Sequence, residues 1–153
     1  RMSKVVPEGY NTITAYLCLR DAAKAIGFYV EALGARELYR LPMPDGKVAH
    51  AELRIGDSRI MVSDEMEGWG NQSAKTLGGT PVGLCVYVAD VDAAAARFVA
   101  AGGTVSRPVA DQFYGDRSGQ LVDPEGYKWT LSQHLEDVSP EEMMRRMAAM
   151  GGG

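Results

Sequence analysis

The chain repeats itself. Asp21 and Asp90, Tyr29 and Phe98, Ala32 and Ala101, Gly34 and Gly103, and Ser63 and Ser132 are each 69 positions apart, with no gap between the pairs. A supersecondary unit that recurs at a fixed spacing cannot bury its own apolar face and is stabilised by packing on its copy. Two equivalent modules are therefore predicted.

In the first module residues 11–19 alternate, with Thr12, Thr14, Tyr16 and Cys18 on one side and Ile13, Ala15, Leu17 and Leu19 on the other, the pattern of a half-buried strand. Asp21 stands where a helix N-cap belongs, an apolar stripe from Ala22 to Leu33 follows at helical spacing, and Gly34 ends it. Strands over 37–41, 48–55 and 59–63 come next, separated by Pro44-Asp45-Gly46 and Gly56-Asp57 turns. The second module runs through a strand at 84–88, an Asp90-capped helix at 91–101 stopped by Gly102-Gly103, and three further strands to Gln133. Its last two strands frame the turn Asp123-Pro124-Glu125-Gly126. After that turn Trp129 and Leu131 share one face, and Lys128, Thr130 and Ser132 share the other. Both modules read β-α-β-β-β. The predicted fold is α+β, a curved open mixed sheet around a cavity, with modules at 11–65 and 81–135, a glycine-containing loop at 66–80 and a C-terminal helix at 136–150, all in one domain.

Composition excludes several classes of function. A formal net charge of -4 offers no field for a phosphate backbone, so nucleic acid is not an expected partner. No apolar run approaches the roughly 20 residues of a membrane span, and the N-terminus lacks a secretory pattern, which predicts a cytoplasmic protein. Two cysteines, Cys18 and Cys85, are too few and too far apart for a disulfide framework or a paired metal site. Arg1 before Met2 reads as an added residue, and Gly151–Gly153 as a flexible tail.

The segments TAYLCLRDAAKAIGFYVEALGA, HAELRIGDSRIMVSDE, YVADVDAAAARFVAAGG and YGDRSGQLVDPEGYKWTLSQH, in this order, resemble the vicinal oxygen chelate superfamily, the glyoxalase and bleomycin-resistance fold, and within it the PhnB-like branch. The resemblance spans residues 12 to 147. It implies that metal-using relatives hold a divalent ion with four side chains, one from the first and last strands of each module. Carried onto this chain, those positions are Thr14, Met61, Gly83 and Thr130. Two hydroxyls, a thioether and a glycine do not make a transition-metal site, so no metal and no other cofactor is expected there.

Other donors have two readings. His50, Glu52 and Arg54 share a strand face, either as an imidazole and carboxylate able to do acid-base work or as a solvated edge. His134, at a strand exit, reads as structural, and Asp116 with Arg117 as an ion pair or a substrate clamp. The cysteine thiols read as small buried hydrophobes. The inward face would then carry Thr14, Tyr16, Cys18, Met61, Ser63, Gly83, Cys85, Tyr87, Lys128, Thr130 and Ser132, a mix of aromatic, soft apolar and scattered polar groups suited to an uncharged or planar small molecule, or to filling the core. Met43, Trp69 and Phe113 flank it in loops.

Ser139-Pro140-Glu141-Glu142 has the form of a capping box, followed by Met143, Met144, Met147 and Met150 on one stripe. That stripe predicts docking on a second subunit or on the chain's own sheet, and with the sheet edges it predicts a homodimer. Two functions are consistent with these features. One is a metal-free protein that binds or sequesters a small molecule. The other is a lyase or isomerase with a relocated metal or metal-free acid-base site around His50 and Glu52.

Overall fold

The computed structural model describes residues 4–151. The Arg1-Met2 pair and Gly152–Gly153 lie outside these residues, while Gly151 is the last residue of a helix. The chain forms two compact units. One contains the residues up to Pro81 together with Pro124–Tyr127, and the other contains Val82–Asp123 and the residues from Lys128 onward.

The first unit contains β1 (Ala15–Leu19), α1 (Ala22–Leu33), β2 (Arg36–Pro42), β3 (Val48–Ile55), β4 (Ser58–Asp64) and the short α2 (Ala74–Leu77). Its sheet runs β1-β4-β3-β2, with β1 parallel to β4 and the other pairs antiparallel. Leu17, Leu19, Ala51, Leu53, Ile60 and Val62 are buried on one face, and Ala22, Ala25, Ile26, Tyr29 and Ala32 of α1 are buried with them. Asp21 Oδ1 accepts from Lys24 N at 3.2 Å as the N-cap, and Gly34 (φ 65°) closes the helix in the left-handed region that glycine enters without a steric penalty.

Two buried carboxylates hold the helix entry. Asp64, the last residue of β4, accepts from Ala22 N at 2.8 Å through Oδ1 and from Val48 N at 2.6 Å through Oδ2. Glu125 accepts from Arg20 N at 2.8 Å and Asp21 N at 3.0 Å, and the Tyr127 hydroxyl donates to the Cys18 carbonyl at 2.9 Å. These bonds explain why residues 124–127 pack with the first unit.

The second unit contains β5 (Gly83–Tyr87), α3 (Val91–Ala101), β6 (Thr104–Asp111), β7 (Asp116–Val122), β8 (Lys128–His134) and α4 (Pro140–Gly151). The strand order is β5-β8-β7-β6, and the core is Trp129, Phe98, Leu121, Leu131 and Val91. Gln133 Oε1 accepts from Val91 N at 3.1 Å. Gln133 and Val91 lie 69 positions after Asp64 and Ala22, so the repeat preserves this strand-to-helix bond as well as the element order. The fold is thus α+β, two β-α-β-β-β modules, each with a four-stranded mixed sheet.

Some boundaries differ from expectation. The first strand begins at Ala15 instead of residue 11, because its parallel partner β4 provides pairing only from Ile60 onward, and Ile13 is exposed. The loop at 66–80 contains α2, whose Ser73 cap accepts from Thr76 N at 3.2 Å. The capping box of α4 is half formed. Ser139 Oγ accepts from Glu142 N at 3.2 Å, while the Glu142 carboxylate turns to Arg145 and Arg146, whose guanidiniums draw its pKa down to about 2. No α4 residue is buried, and the helix packs on no strand or helix among the described residues. Its tethers are polar, from Arg146 Nη1 to the Phe113 carbonyl and to Glu136, each at 3.0 Å. No helix of the described residues is long and apolar enough to cross a membrane.

Replacing Glu125 by Ala should destabilise the protein by about 2–4 kcal/mol, because two backbone N–H groups at the entry to α1 lose a charged acceptor. Urea denaturation measures this, and a loss below 0.5 kcal/mol, about the range of a neutral surface change, would show that the bonds are dispensable.

Candidate functional site

Strand register decides which side chains share the face of the first sheet opposite α1. Tyr16 lies opposite Met61, Met61 opposite Glu52, and Glu52 opposite Tyr39, so one continuous row crosses all four strands. On one side of it, Cys18 lies opposite Ser63 and His50 opposite Leu41. On the other, Arg59, Arg54 and Arg36 form a third row. Thr14 precedes β1 by one residue.

Hydrogen bonds tie these rows together around Glu52, which is only 8% exposed. Its Oε1 accepts from the Tyr10 hydroxyl, and its Oε2 accepts from the Tyr39 hydroxyl at 2.7 Å and faces His50 Nε2 at 2.9 Å. With Glu52 as acceptor, Nε2 of His50 carries a proton. The other ring nitrogen, Nδ1, lies 2.7 Å from the Tyr16 hydroxyl. A neutral imidazole accepts the Tyr16 proton there, and an imidazolium donates to the Tyr16 oxygen. Either way Tyr16, His50 and Glu52 form one hydrogen-bonded chain whose outer end is a half-exposed phenol.

The rim of this cluster is aromatic and apolar. Tyr16, Tyr39 and Leu41 are exposed, and the His50 ring packs against both tyrosines with centroids 5.4 Å and 5.9 Å away. Beside it lies a cleft lined by Lys47, Glu65, Met66, Asn71, Gln72 and Thr76. Asn71 Nδ2 reaches Ser63 Oγ at 3.4 Å, and Asn71 Oδ1 is buried with no hydrogen-bond partner among the described residues. Cys18, in the row with Ser63, has its thiol pKa raised by burial and then by the negative charges of Glu65, Asp64 and Glu125. These effects suppress the thiolate and argue against nucleophilic chemistry at Cys18.

The second sheet has the same frame with different residues. Gly83 lies opposite Lys128, Cys85 opposite Thr130 and Tyr87 opposite Ser132, and the middle row continues through Gln120 to Arg107. Cys85 Sγ and Ser132 Oγ are 3.7 Å apart, and Arg107 donates to the Ser118 carbonyl at 3.3 Å. The adjacent residues Asp116 and Arg117 do not pair with each other, since neighbours on a strand point to opposite faces. Arg117 binds Asp92 and Asp111, whereas buried Asp116 binds His134 Nδ1 at 2.7 Å and accepts from the Tyr87 hydroxyl at 3.3 Å. That hydroxyl has its pKa raised, chiefly by the charge of Asp116.

Neither sequence-matched pair from the metal-using relatives fits an ion in its own unit. Thr14 and Met61 offer one hydroxyl and one thioether, and Thr130 offers a hydroxyl beside a glycine. No group of three His, Cys, Asp or Glu among the described residues is placed to hold a metal. The shared strand face of His50 and Glu52 is legible in the sequence, and the hydroxyls of Tyr10 and Tyr39, which donate to the same carboxylate, are not. The same holds for the pairing of His134, whose two ring nitrogens each face a carboxylate, Asp116 on one side and Asp137 at 2.7 Å on the other.

His134 has its pKa raised above the ordinary 6.5, first by the hydrogen bond to Asp116 and then by that to Asp137. A group whose folded pKa is raised stabilises the fold fully below its unfolded value and loses that contribution as pH rises through the folded one. The melting-temperature difference between the native protein and His134→Ala should therefore be largest near about pH 6 and shrink toward alkaline pH. A pH-independent difference in a thermal melt series would contradict the pairing of His134 with Asp116 and Asp137.

The Glyoxalase/Bleomycin resistance protein/Dioxygenase superfamily matches residues 10–131. An uncharacterized protein of Mycobacterium bovis is 42% identical over 144 residues, covering 92% of this chain and 95% of the relative. TioX from Micromonospora sp. ML1 is similar in structure, with a TM-score of 0.64 and 29% identity over 84% of this chain and 100% of that one. A PhnB protein from Bacillus cereus shares the fold, with a TM-score of 0.64 and 19% identity over 80% of this chain and 99% of that one. On sequence, strand order and structural likeness, the chain belongs to the glyoxalase/bleomycin resistance protein/dioxygenase superfamily.

Proposed function

We propose that the chain binds a small molecule on the open face of its first sheet, over Tyr16, Tyr39, Leu41 and His50. The observation that carries this reading is the hydrogen-bonded cluster of Tyr10, Tyr39, His50 and Tyr16 around buried Glu52. Fixed polar groups beneath an exposed aromatic rim give orientation and contact area together, the combination on which small-molecule sites rely. The orphan acceptor of Asn71 adds a position for a ligand N–H or O–H donor.

The connected chain from Tyr16 through His50 to Glu52 favours a second reading, a metal-free lyase or isomerase. In that reading the Tyr16 hydroxyl takes the substrate's proton while passing its own to His50 Nδ1, and Glu52 orients the ring and balances the imidazolium charge until the proton returns. Binding and sequestration need only the face. Catalysis also needs the relay.

Thermal-shift titration with a panel of planar aromatic compounds tests the first reading. A binder should raise the melting temperature in proportion to ln(1 + [L]/Kd), and Tyr39→Ala should weaken it about tenfold while Trp69→Ala leaves it unchanged. A panel with no stabilising member, or stabilisation indifferent to Tyr39, Tyr16 and His50, would sink the proposal. If turnover is found, Tyr16→Phe and His50→Ala should each lower kcat by about a hundredfold or more and combine non-additively, whereas loss in KM alone would point to binding.

The assembly we propose is a cytoplasmic homodimer. Met144, Met147 and Met150 stand exposed on α4, and the thiols of Cys18 and Cys85 are free. Deleting residues 139–153 should weaken self-association in sedimentation equilibrium. A native chain that sediments as a monomer at micromolar concentration would refute the dimer.

A further inference from the structure

Among the described residues, none of the three arginines in the third row of the open face is ion-paired. Arg36 faces Arg54 across β2 and β3, and Arg54 faces Arg59 across β3 and β4, so three arginines stand side by side on neighbouring strands. Adjacent strands lie about 4.8 Å apart, and like charges directly opposite one another destabilise a sheet. The ion pairs recorded in the first unit join Arg40 to Glu37 and His50 to Glu52, and none involves these three arginines. Glu52, the carboxylate of the adjoining row, already has Tyr10, Tyr39 and His50 on its oxygens. The chain has 20 acidic residues against 16 Lys and Arg, yet among the described residues none is paired into this row.

The row is also held in place. The Arg59 guanidinium lies 5.0 Å from the centroid of the Tyr10 ring, and a β-carbon at Gly9, whose φ is +84°, would collide with it. Tyr10 thus touches both rows, stacking on Arg59 while its hydroxyl binds Glu52. Guanidinium forks match the two oxygens of a carboxylate or phosphate, and the Arg54 fork, with no ion pair among the described residues, stands beside an Arg59 guanidinium oriented by Tyr10.

We propose that this row is an oxyanion subsite: the ligand of the open face carries a carboxylate or phosphate group that binds across Arg54 and Arg59, with its planar body toward Tyr16 and Tyr39. The proposal rests on the reading of this face as a small-molecule site and changes the expected ligand from an uncharged compound to an acidic one. Two residues along a strand span about 6.6 Å, roughly the length of one aromatic ring with an acidic substituent, so a molecule held at Arg54 reaches the row of Tyr39 alongside Tyr10.

Titration of the full chain with benzoate, phenyl phosphate and benzamide, followed by NMR, tests it. Both anions should shift the Arg54 and Arg59 side-chain N–H signals together with Tyr16 and His50, and bind about tenfold more tightly than neutral benzamide. The tighter of the two anions identifies the oxyanion. Arg54→Gln or Arg59→Gln, each checked for an unchanged backbone fingerprint, should remove most of the anion preference and leave benzamide unaffected. Equal binding of benzoate and benzamide, insensitive to both variants, would overturn the oxyanion subsite while the small-molecule reading stood. Arginine shifts without any response at Tyr16, Tyr39 or His50 would support the anion site and overturn the placement of the ligand body. Arginine signals that respond to no probe at millimolar concentration would overturn the subsite outright.

Discussion

Each module depends on one bond between the end of its fourth strand and the first turn of its helix. In the first unit Asp64 accepts from Ala22 N, and in the second Gln133 accepts from Val91 N. The leading N–H groups of a helix have no partner within it, so a buried helix start needs acceptors from elsewhere. Taking one from the fourth strand fixes the helix against the sheet. One sheet face is thereby committed to the helix and the core, and the other carries the polar rows. Asp64 does more than Gln133, since its second oxygen also binds Val48 N at the start of β3.

The two open faces have diverged on that shared frame. The middle row reads Tyr16, Met61, Glu52, Tyr39 in the first sheet and Cys85, Thr130, Gln120, Arg107 in the second. A buried carboxylate with three hydroxyl or imidazole neighbours is costly to place unless every neighbour satisfies it, and in the first sheet Tyr10, Tyr39 and His50 do so. A frame that tolerates a glutamate in one copy and a glutamine in the other lets function change without disturbing the core. This explains how a chain can belong to a superfamily known for metal ligation while carrying threonine, methionine and glycine at the matching positions.

The period of the sequence is local, and the local features were legible. The extents of β3 and α3, the Asp21 and Asp90 caps and the alternation around Trp129 all follow from neighbouring residues. Pairing is not local. Arg54 and Arg59 could have been matched by counting outward from the Gly56-Asp57 turn, because a hairpin without a bulge fixes its own register. Tyr39 and Glu52 could not, since the register shifts by one between Leu41 and Pro42, and a second shift between Glu37 and Tyr39 undoes it before Arg36. Tyr10 lies in an irregular segment with no period, and only the folded chain shows that it reaches Glu52. The half-formed capping box of α4 has a similar origin: the motif supplies Glu142, but two nearby guanidiniums compete for it and win.

Glu125 sets an order of events for a chain emerging from the ribosome. The bonds from Arg20 and Asp21 reach an acceptor 105 and 104 positions downstream, and Tyr127 reaches back 109 positions to Cys18. Contacts of such sequence separation require closure of a long loop before they yield any stabilisation, which slows folding. The first unit can assemble its sheet and helix early. The entry to that helix stays without its Glu125 acceptor until most of the second unit has been synthesised. Only the helix entry of the amino-terminal half therefore waits on residue 125, and a chain released before it leaves the same two N–H groups without that acceptor.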